Sequence, residues 1–175
     1  METEKWKIEL MLLKEHSKKQ SQFICAYILE SPERMNVFID LFLTGKYVVA
    51  QRAASVIYAI TDKDPELLAP YLEKMVESLN LDKEGRHDAT KRCVLRTLAF
   101  IEIPESLHAA VVNKCFYHLG SDIAAIGLKV FSMLTLSKLI PIYPDLKEEF
   151  RQIITETPYQ SPAYKSCVRD ILLRL

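Results

Sequence analysis

Glycine is scarce in this chain of 175 residues, with four copies that all stand apart from one another. A loop that cradles a nucleotide phosphate needs several glycines within a few residues, so this sequence offers none. The sequence also lacks His-Glu-x-x-His and Gly-x-Ser-x-Gly, the signatures of zinc peptidases and of serine hydrolases. These absences exclude the common motif-bearing enzyme classes, and we predict neither a catalytic residue nor a cofactor or metal.

An excess of either charge is absent as well, because 23 Lys and Arg residues balance 23 Asp and Glu residues. Proteins that bind nucleic acids usually carry a basic excess, since lysine and arginine make the phosphate contacts. A local patch could still bind nucleic acid, but the neutral total does not favour that partner. Apolar residues at 49% and charged residues at 26% are typical of a folded chain.

The sequence has no long hydrophobic run. Its first residues are acidic and Glu9 interrupts the apolar stretch 8–13, so we expect no secretory signal. The stretch 123–136 contains Gly127 and Lys129 and is too short to cross a bilayer. We therefore expect a cytoplasmic protein without membrane contact. In that compartment free thiols are expected rather than disulfides, and four widely spaced cysteines have apolar neighbours that predict burial: Cys25, Cys93, Cys115 and Cys167.

The sequence does contain glycine and proline residues at regular intervals. Three glycines each follow one helical pattern and precede the next, which suits the left-handed position after a helix: Gly45, Gly85 and Gly120. Four prolines that are each followed by an acid suit the first position of a helix: Pro32, Pro65, Pro104 and Pro144. These prolines are 33, 39 and 40 residues apart. A period of this length with two helices in each repeat predicts an α-solenoid.

One stretch points to a family. Residues 52–79, RAASVIYAITDKDPELLAPYLEKMVESL, resemble a HEAT repeat: a helix of small and apolar residues, a charged turn with Asp-Pro, and a second helix. Residues 92–116, RCVLRTLAFIEIPESLHAAVVNKCF, resemble it less closely. The resemblance to HEAT and armadillo-like proteins implies a scaffold that binds partners along a curved surface lined by second helices. A minority of such proteins are DNA glycosylases of the alkylpurine type, and some are pigment lyases.

We therefore predict one all-α domain over 1–175, a right-handed α-solenoid (superhelix) of HEAT-like helical hairpins with about nine helices. An N-terminal helix at 4–15 carries Trp6, Leu10 and Leu13 on one stripe, and a terminal helix covers 162–175. The repeats between them are expected at 19–44, 46–80, 86–119 and 121–157. Pro70 would cost about 3 kcal/mol inside a helix, so a single turn at 65–69 is expected, with the main helix starting at Pro70.

Second helices show apolar stripes at helical spacing, for example Leu68, Leu72, Met75, Val76 and Leu79. The opposite faces form a candidate partner surface: Asn36, Asp40, Glu73, Lys74, Glu77, Asn113, Lys114, Tyr117 and Arg151. Tyr117 is the best anchor because exposed aromatic residues are enriched at interfaces. A basic cluster could bind an anion, although such charges usually form a solvated helix face: Arg86, Lys91, Arg92 and Arg96.

Cys115 and His118 could share a helix face, but two ligands do not make a zinc site. We expect a buried thiol beside a surface histidine. The final helix carries a stripe from Tyr164 to Leu175, and Leu173 adds apolar surface outside it, so we predict a monomer or a weak homodimer through this helix.

The function that we predict is a non-catalytic binding scaffold for a protein or peptide partner. The alternative is a HEAT-like protein that acts on nucleic acid, of the alkylpurine DNA glycosylase type. An extruded base needs an aromatic or apolar platform, and the only tryptophan, Trp6, lies in the first helix.

Overall fold

The computed structural model describes residues 2–79, 88–157 and 161–175, and all regular structure in these ranges is helical. The predicted all-α class is confirmed, with ten α-helices in these ranges rather than about nine. They are α1 (Glu2–Lys14), α2 (Lys18–Leu29), α3 (Pro32–Thr44), α4 (Tyr47–Lys63), α5 (Leu72–Leu79), α6 (Asp88–Phe100), α7 (Glu105–Gly120), α8 (Ile126–Leu139), α9 (Lys147–Glu156) and α10 (Pro162–Leu172). Short 3-10 segments, Pro65–Tyr71 and Pro144–Leu146, precede α5 and α9. In the described ranges no helix has the length and apolar character needed to cross a membrane.

The chain forms two compact units, unit 1 (Met1–Cys93) and unit 2 (Val94–Leu175). In unit 1, α2 packs on α3 and α4, and α1 packs on α3. In a stack of helical hairpins, each helix contacts the next helix in the sequence and also the one after it. The contacts in unit 1 follow this pattern. The interior is filled by side chains that helical spacing brings to one face, among them Phe38 and Phe42 of α3 and Ile57 and Ile60 of α4, all with no exposed surface.

Unit 2 follows the same pattern: α8 packs on α7 and α10, and α7 packs on α9. Val111 and Cys115 of α7 meet a core that includes Leu136 of α8 and Phe150 of α9, and all four are fully buried. The predicted stripe of α5 and its 3-10 segment in unit 1 is likewise buried throughout. The apolar periodicity of this second helix therefore predicted its core face.

The prolines mark helix starts, with one correction. Pro32 and Pro162 are the first residues of α3 and α10, and Pro65 and Pro144 open the two 3-10 segments. Pro104 instead precedes α7, because its backbone is extended (φ −56°, ψ 139°).

The main helix of the second repeat begins at Leu72 rather than at Pro70. Asp64 caps the 3-10 segment, because its carboxylate accepts a hydrogen bond from the Glu66 N–H at 3.0 Å. Pro70 has no N–H to donate, so the α-helical hydrogen bonding starts only after it.

The largest error in helix bounds concerns α8, which begins at Ile126 rather than at Ser121. Ala125 is extended (φ −58°, ψ 144°), and its carbonyl accepts the first helical hydrogen bonds, from Leu128 and Lys129. Ile123 is 94% exposed. The repeat predicted from residue 121 therefore began five residues before the helix does.

Gly45 was expected in the left-handed conformation, and that expectation was wrong: its φ is −63°. Its N–H donates to the Leu41 carbonyl at 2.9 Å, and a Cβ atom on Gly45 would collide with that carbonyl oxygen. The chain needs glycine there for close approach. Gly120 is the last residue of α7, where a Cβ would make an ordinary contact with Ile153 Cδ1 at 3.7 Å. Gly85 lies outside the described residues.

These two glycines give a matched test. Gly45→Ala should lower the free energy of unfolding by about 1–3 kcal/mol, because the added methyl overpacks the Leu41 carbonyl. Gly120→Ala should leave stability unchanged or raise it by ~0.5–1 kcal/mol, since alanine is the better helix former. Urea unfolding measures both, and equal effects of the two substitutions would contradict this explanation.

Candidate functional site

The predicted partner residues in unit 1 form one exposed surface, here named the α3/α5 patch. It consists of Asn36 and Asp40 on α3 and Glu73, Lys74 and Glu77 on α5, and all five side chains are exposed. Lys74 Nζ lies 3.9 Å from Asp40 Oδ1, which joins the two helices across the surface. An exposed ion pair of this kind adds little stability, so the two charges remain open to a partner.

The predicted partner residues of unit 2 lie on α7 and α9, two helices that contact each other. We name Asn113, Lys114, Tyr117 and Arg151 the α7/α9 patch. Tyr117 is 55% exposed, and Lys114 Nζ lies 5.3 Å from its ring centroid, within cation–π range. The patch therefore exposes the Tyr117 ring with the Lys114 ammonium over its face.

The two patches differ in charge. Three acids and one lysine make the α3/α5 patch acidic, whereas Lys114 and Arg151 without an acid make the α7/α9 patch basic. The neutral total of the sequence therefore hides a local difference in sign.

The basic residues of α6 share little common surface. Arg92 is exposed and Lys91 is half-buried. The Arg96 guanidinium carbon lies 5.4 Å from the Phe100 ring centroid, so this cation packs along its own helix. Arg86 lies outside the described residues.

The pair Cys115 and His118 differs from expectation in one respect. Cys115 is buried as predicted, and burial raises the pKa of its thiol to about 12, while a hydrogen bond with Ser132 opposes the shift. His118 was expected at the surface but is 3% exposed, because its position on α7 faces the core. The described part of the chain contains no group of three residues that could hold a metal ion. Cys167 is only half-buried, whereas the other three free cysteines are buried.

Sequence reasoning missed a polar pair in unit 2, formed by the buried His108 and the half-buried Tyr143. His108 Nε2 lies 2.8 Å from the Ile103 carbonyl oxygen, and Nδ1 lies 3.0 Å from the Tyr143 hydroxyl. Because a carbonyl only accepts, Nε2 must carry a proton, and in the neutral ring Tyr143 donates to Nδ1. Both ring nitrogens are bonded within the protein and His108 is 7% exposed, so we interpret the pair as structural.

Two grooves also went unpredicted. The first, of about 680 Å³, lies in unit 1 along α2 and α4. Small side chains on both helices create it, including Ser21, Cys25, Ser55 and Ala59. The second, of about 510 Å³, runs along α9 and α10 and is lined by Tyr164, Val168, Leu172 and Leu173. Leu173 is 82% exposed. The small residues of the first groove are visible in the sequence, but their facing across two helices is not.

Comparison with protein families matches the HEAT repeat domain to residues 8–175. This span includes most of both units. The chain belongs to the HEAT repeat family. No curated protein and no solved structure matched it. The family match confirms the helical-repeat architecture that the second repeat indicated, and it does not identify a partner.

A buried lysine stabilises a helix end in unit 2 of this HEAT-repeat chain. Lys129 of α8 is 1% exposed, and its Nζ donates to the Leu119 carbonyl in the last turn of α7 at 2.9 Å. Burial lowers the pKa of Lys129, and the Asp122 carboxylate opposes the shift. A cation suits the negative end of a helix dipole, which explains why a lysine is tolerated inside the unit.

The lowered pKa makes the contribution of Lys129 depend on pH. The unfolded chain holds this proton more tightly than the folded chain, so stability rises as pH increases from the folded pKa towards the ordinary value of 10.5. Lys129→Met removes the titration. The free energy of unfolding of wild type relative to Lys129→Met should therefore increase as the pH rises towards 10.5, by about 1.4 kcal/mol for every tenfold loss of proton affinity on folding. The exposed Lys74→Met serves as control, and a difference that stays constant with pH would count against the buried cation.

Proposed function

We propose that this HEAT-repeat protein is a non-catalytic scaffold that binds a protein or peptide partner in the cytoplasm through the free faces of its second helices. The observation that carries the proposal is the exposed Tyr117 with Lys114 over its ring, because a solvated aromatic beside a cation is typical of an interface anchor. The family supports a scaffold role, since helical repeats present extended surfaces. Four free cysteines agree with a reducing compartment.

The charges of the two patches define the partner chemistry. The acidic α3/α5 patch suits Lys or Arg side chains, and the basic α7/α9 patch suits carboxylates together with an aliphatic or aromatic group that can cover Tyr117. A group that binds the first patch would therefore be basic, and a group that binds the second would be acidic. The partner's association rate should fall with added salt, because exposed charges act mainly on encounter and are screened.

Site-specific photocross-linking in native lysate tests the proposal. A photoreactive phenylalanine analogue placed at Tyr117, and separately one placed at Glu77, should each capture a discrete protein. The matched control is the same analogue at Phe23, an aromatic residue of α2 that is 60% exposed. Tyr117→Ala should weaken binding of the protein captured at Tyr117 by at least about tenfold, as anchor residues do. Adducts that are absent, or identical at Phe23, would refute the proposed surface.

A gel shift with duplex DNA at low salt separates this proposal from the nucleic-acid alternative, because phosphate attraction is strongest there. We expect no shift. A shift that Arg92→Glu abolishes would favour the alternative, since Arg92 is the exposed cation among the described residues of the α6 cluster.

A further inference from the structure

An apolar stripe on α1 faces solvent. Trp6, Leu10 and Leu13 are 67%, 47% and 43% exposed, whereas Ile8 and Leu12 on the opposite face are 0% and 1% exposed. The stripe that the sequence shows is thus not the face with which α1 packs on α3 and α4. A row of large apolar side chains left bare by the described residues is typical of an interaction site.

The spacing of this stripe is that of a two-stranded coiled coil. Thr3, Trp6, Leu10 and Leu13 follow one another at intervals of three, four and three residues, which are the a and d positions of a heptad. All four side chains are exposed.

The flanking charges are those of a self-complementary pair. Glu2 and Glu9 occupy the g positions, and Lys7 and Lys14 occupy the e positions. In a parallel pair, a g residue faces the e residue five positions later in the other helix. Glu2 then faces the partner's Lys7, and Glu9 faces the partner's Lys14.

An antiparallel pair lacks this complementarity. It brings g positions next to g positions, so glutamates would face glutamates and lysines would face lysines. The charges beside the stripe therefore favour a second copy of α1 as the binding partner, and they favour a parallel arrangement of the two helices.

We propose that the stripe of α1 binds the α1 stripe of a second copy of this chain, as a parallel, two-fold symmetric helix pair. Because Ile8 and Leu12 point the opposite way, the body of unit 1 lies away from the partner helix. A helix of 13 residues is about 20 Å long. The interface is therefore at the small end of protein contacts, with a dissociation constant in the range of about 10–100 μM. Pairing goes beyond the scaffold function, because it doubles the partner surfaces on one particle and raises avidity.

Sedimentation velocity across protein concentration, followed together with tryptophan emission, tests the pairing. Trp6 is the only tryptophan, so its emission reports on the stripe directly. We expect a reversible doubling of mass accompanied by a blue shift as the indole leaves water. A monomer at ~1 mM, well above the expected dissociation constant, would overturn the proposal, as would a dimer whose emission is unchanged.

Matched apolar substitutions locate the interface. Trp6→Glu should weaken dimerisation by more than about tenfold, because it places a charge at the centre of the pair. Phe23→Glu on α2 and Leu173→Glu on α10 replace other exposed apolar side chains and should leave the dissociation constant unchanged, with circular dichroism confirming that each variant is folded. Loss of the dimer in Leu173→Glu alone would assign it to the C-terminal helix and overturn the α1 pairing.

A charge exchange tests the orientation. Lys7 lies over the Tyr27 ring, with Nζ 4.5 Å from the centroid, so the pair formed by Glu9 and Lys14 is the cleaner one to change. Glu9→Lys and Lys14→Glu should each weaken the dimer by about fivefold, and the double exchange should restore it. Leu13→Cys should form a disulfide-linked dimer under mild oxidation, because a parallel pair places the two copies of this position together. No rescue in the double variant, together with no cross-link, would overturn the parallel pair.

Discussion

The structure depends on hydrogen bonds that side chains donate to backbone carbonyls at the ends of earlier helices. The last four carbonyls of a helix have no partner within it, and cations are favoured at that end. Arg52 of α4 donates to the Leu12 carbonyl of α1 at 2.9 Å. Lys138 of α8 donates to the carbonyls of Leu98, at 3.1 Å, and Ile101 at the end of α6. These contacts occur in both units and satisfy groups that apolar packing cannot.

The contacts also explain the period of the sequence. Arg52 lies 40 residues after Leu12, and Thr135 of α8 lies 40 residues after Leu95, whose carbonyl it binds at 3.3 Å. Apolar packing is not directional, so it does not determine the position of one helix along the axis of its neighbour. A hydrogen bond to one carbonyl fixes that register, and the interval of 40 residues matches the largest spacing between the prolines.

The sequence predicted features with a local cause and missed those that depend on distant residues. Proline at a helix start and apolar spacing on second helices are local, so the bounds of α3 and the core of α5 were predicted well. The extended turn before α8 depends on packing against other helices, and periodicity misread it. The spacing of His118 from Val111 and Cys115 places it on the buried face of α7, so the expectation of a surface histidine was wrong because it followed from the polar side chain and not from the position. The free faces of second helices could be predicted by difference from the stripes. The groove along α2 and α4 could not, because it depends on which small side chains face each other.

The residues that stabilise the units differ from those in the proposed interaction surfaces. Core stripes and capped helix ends hold each unit together, whereas the second-helix patches and the α1 stripe lie outside the core. Side chains of later helices hold the carbonyl ends of earlier helices in both units. Amide hydrogen exchange at Ile101, whose N–H donates to the Thr97 carbonyl at 3.1 Å, tests it most directly in Lys138→Met. Loss of the cap should free the last turn of α6 and speed exchange by about fivefold, while exchange at the Gly45 amide in unit 1 stays unchanged. Equal exchange at Ile101 in wild type and variant would contradict the account.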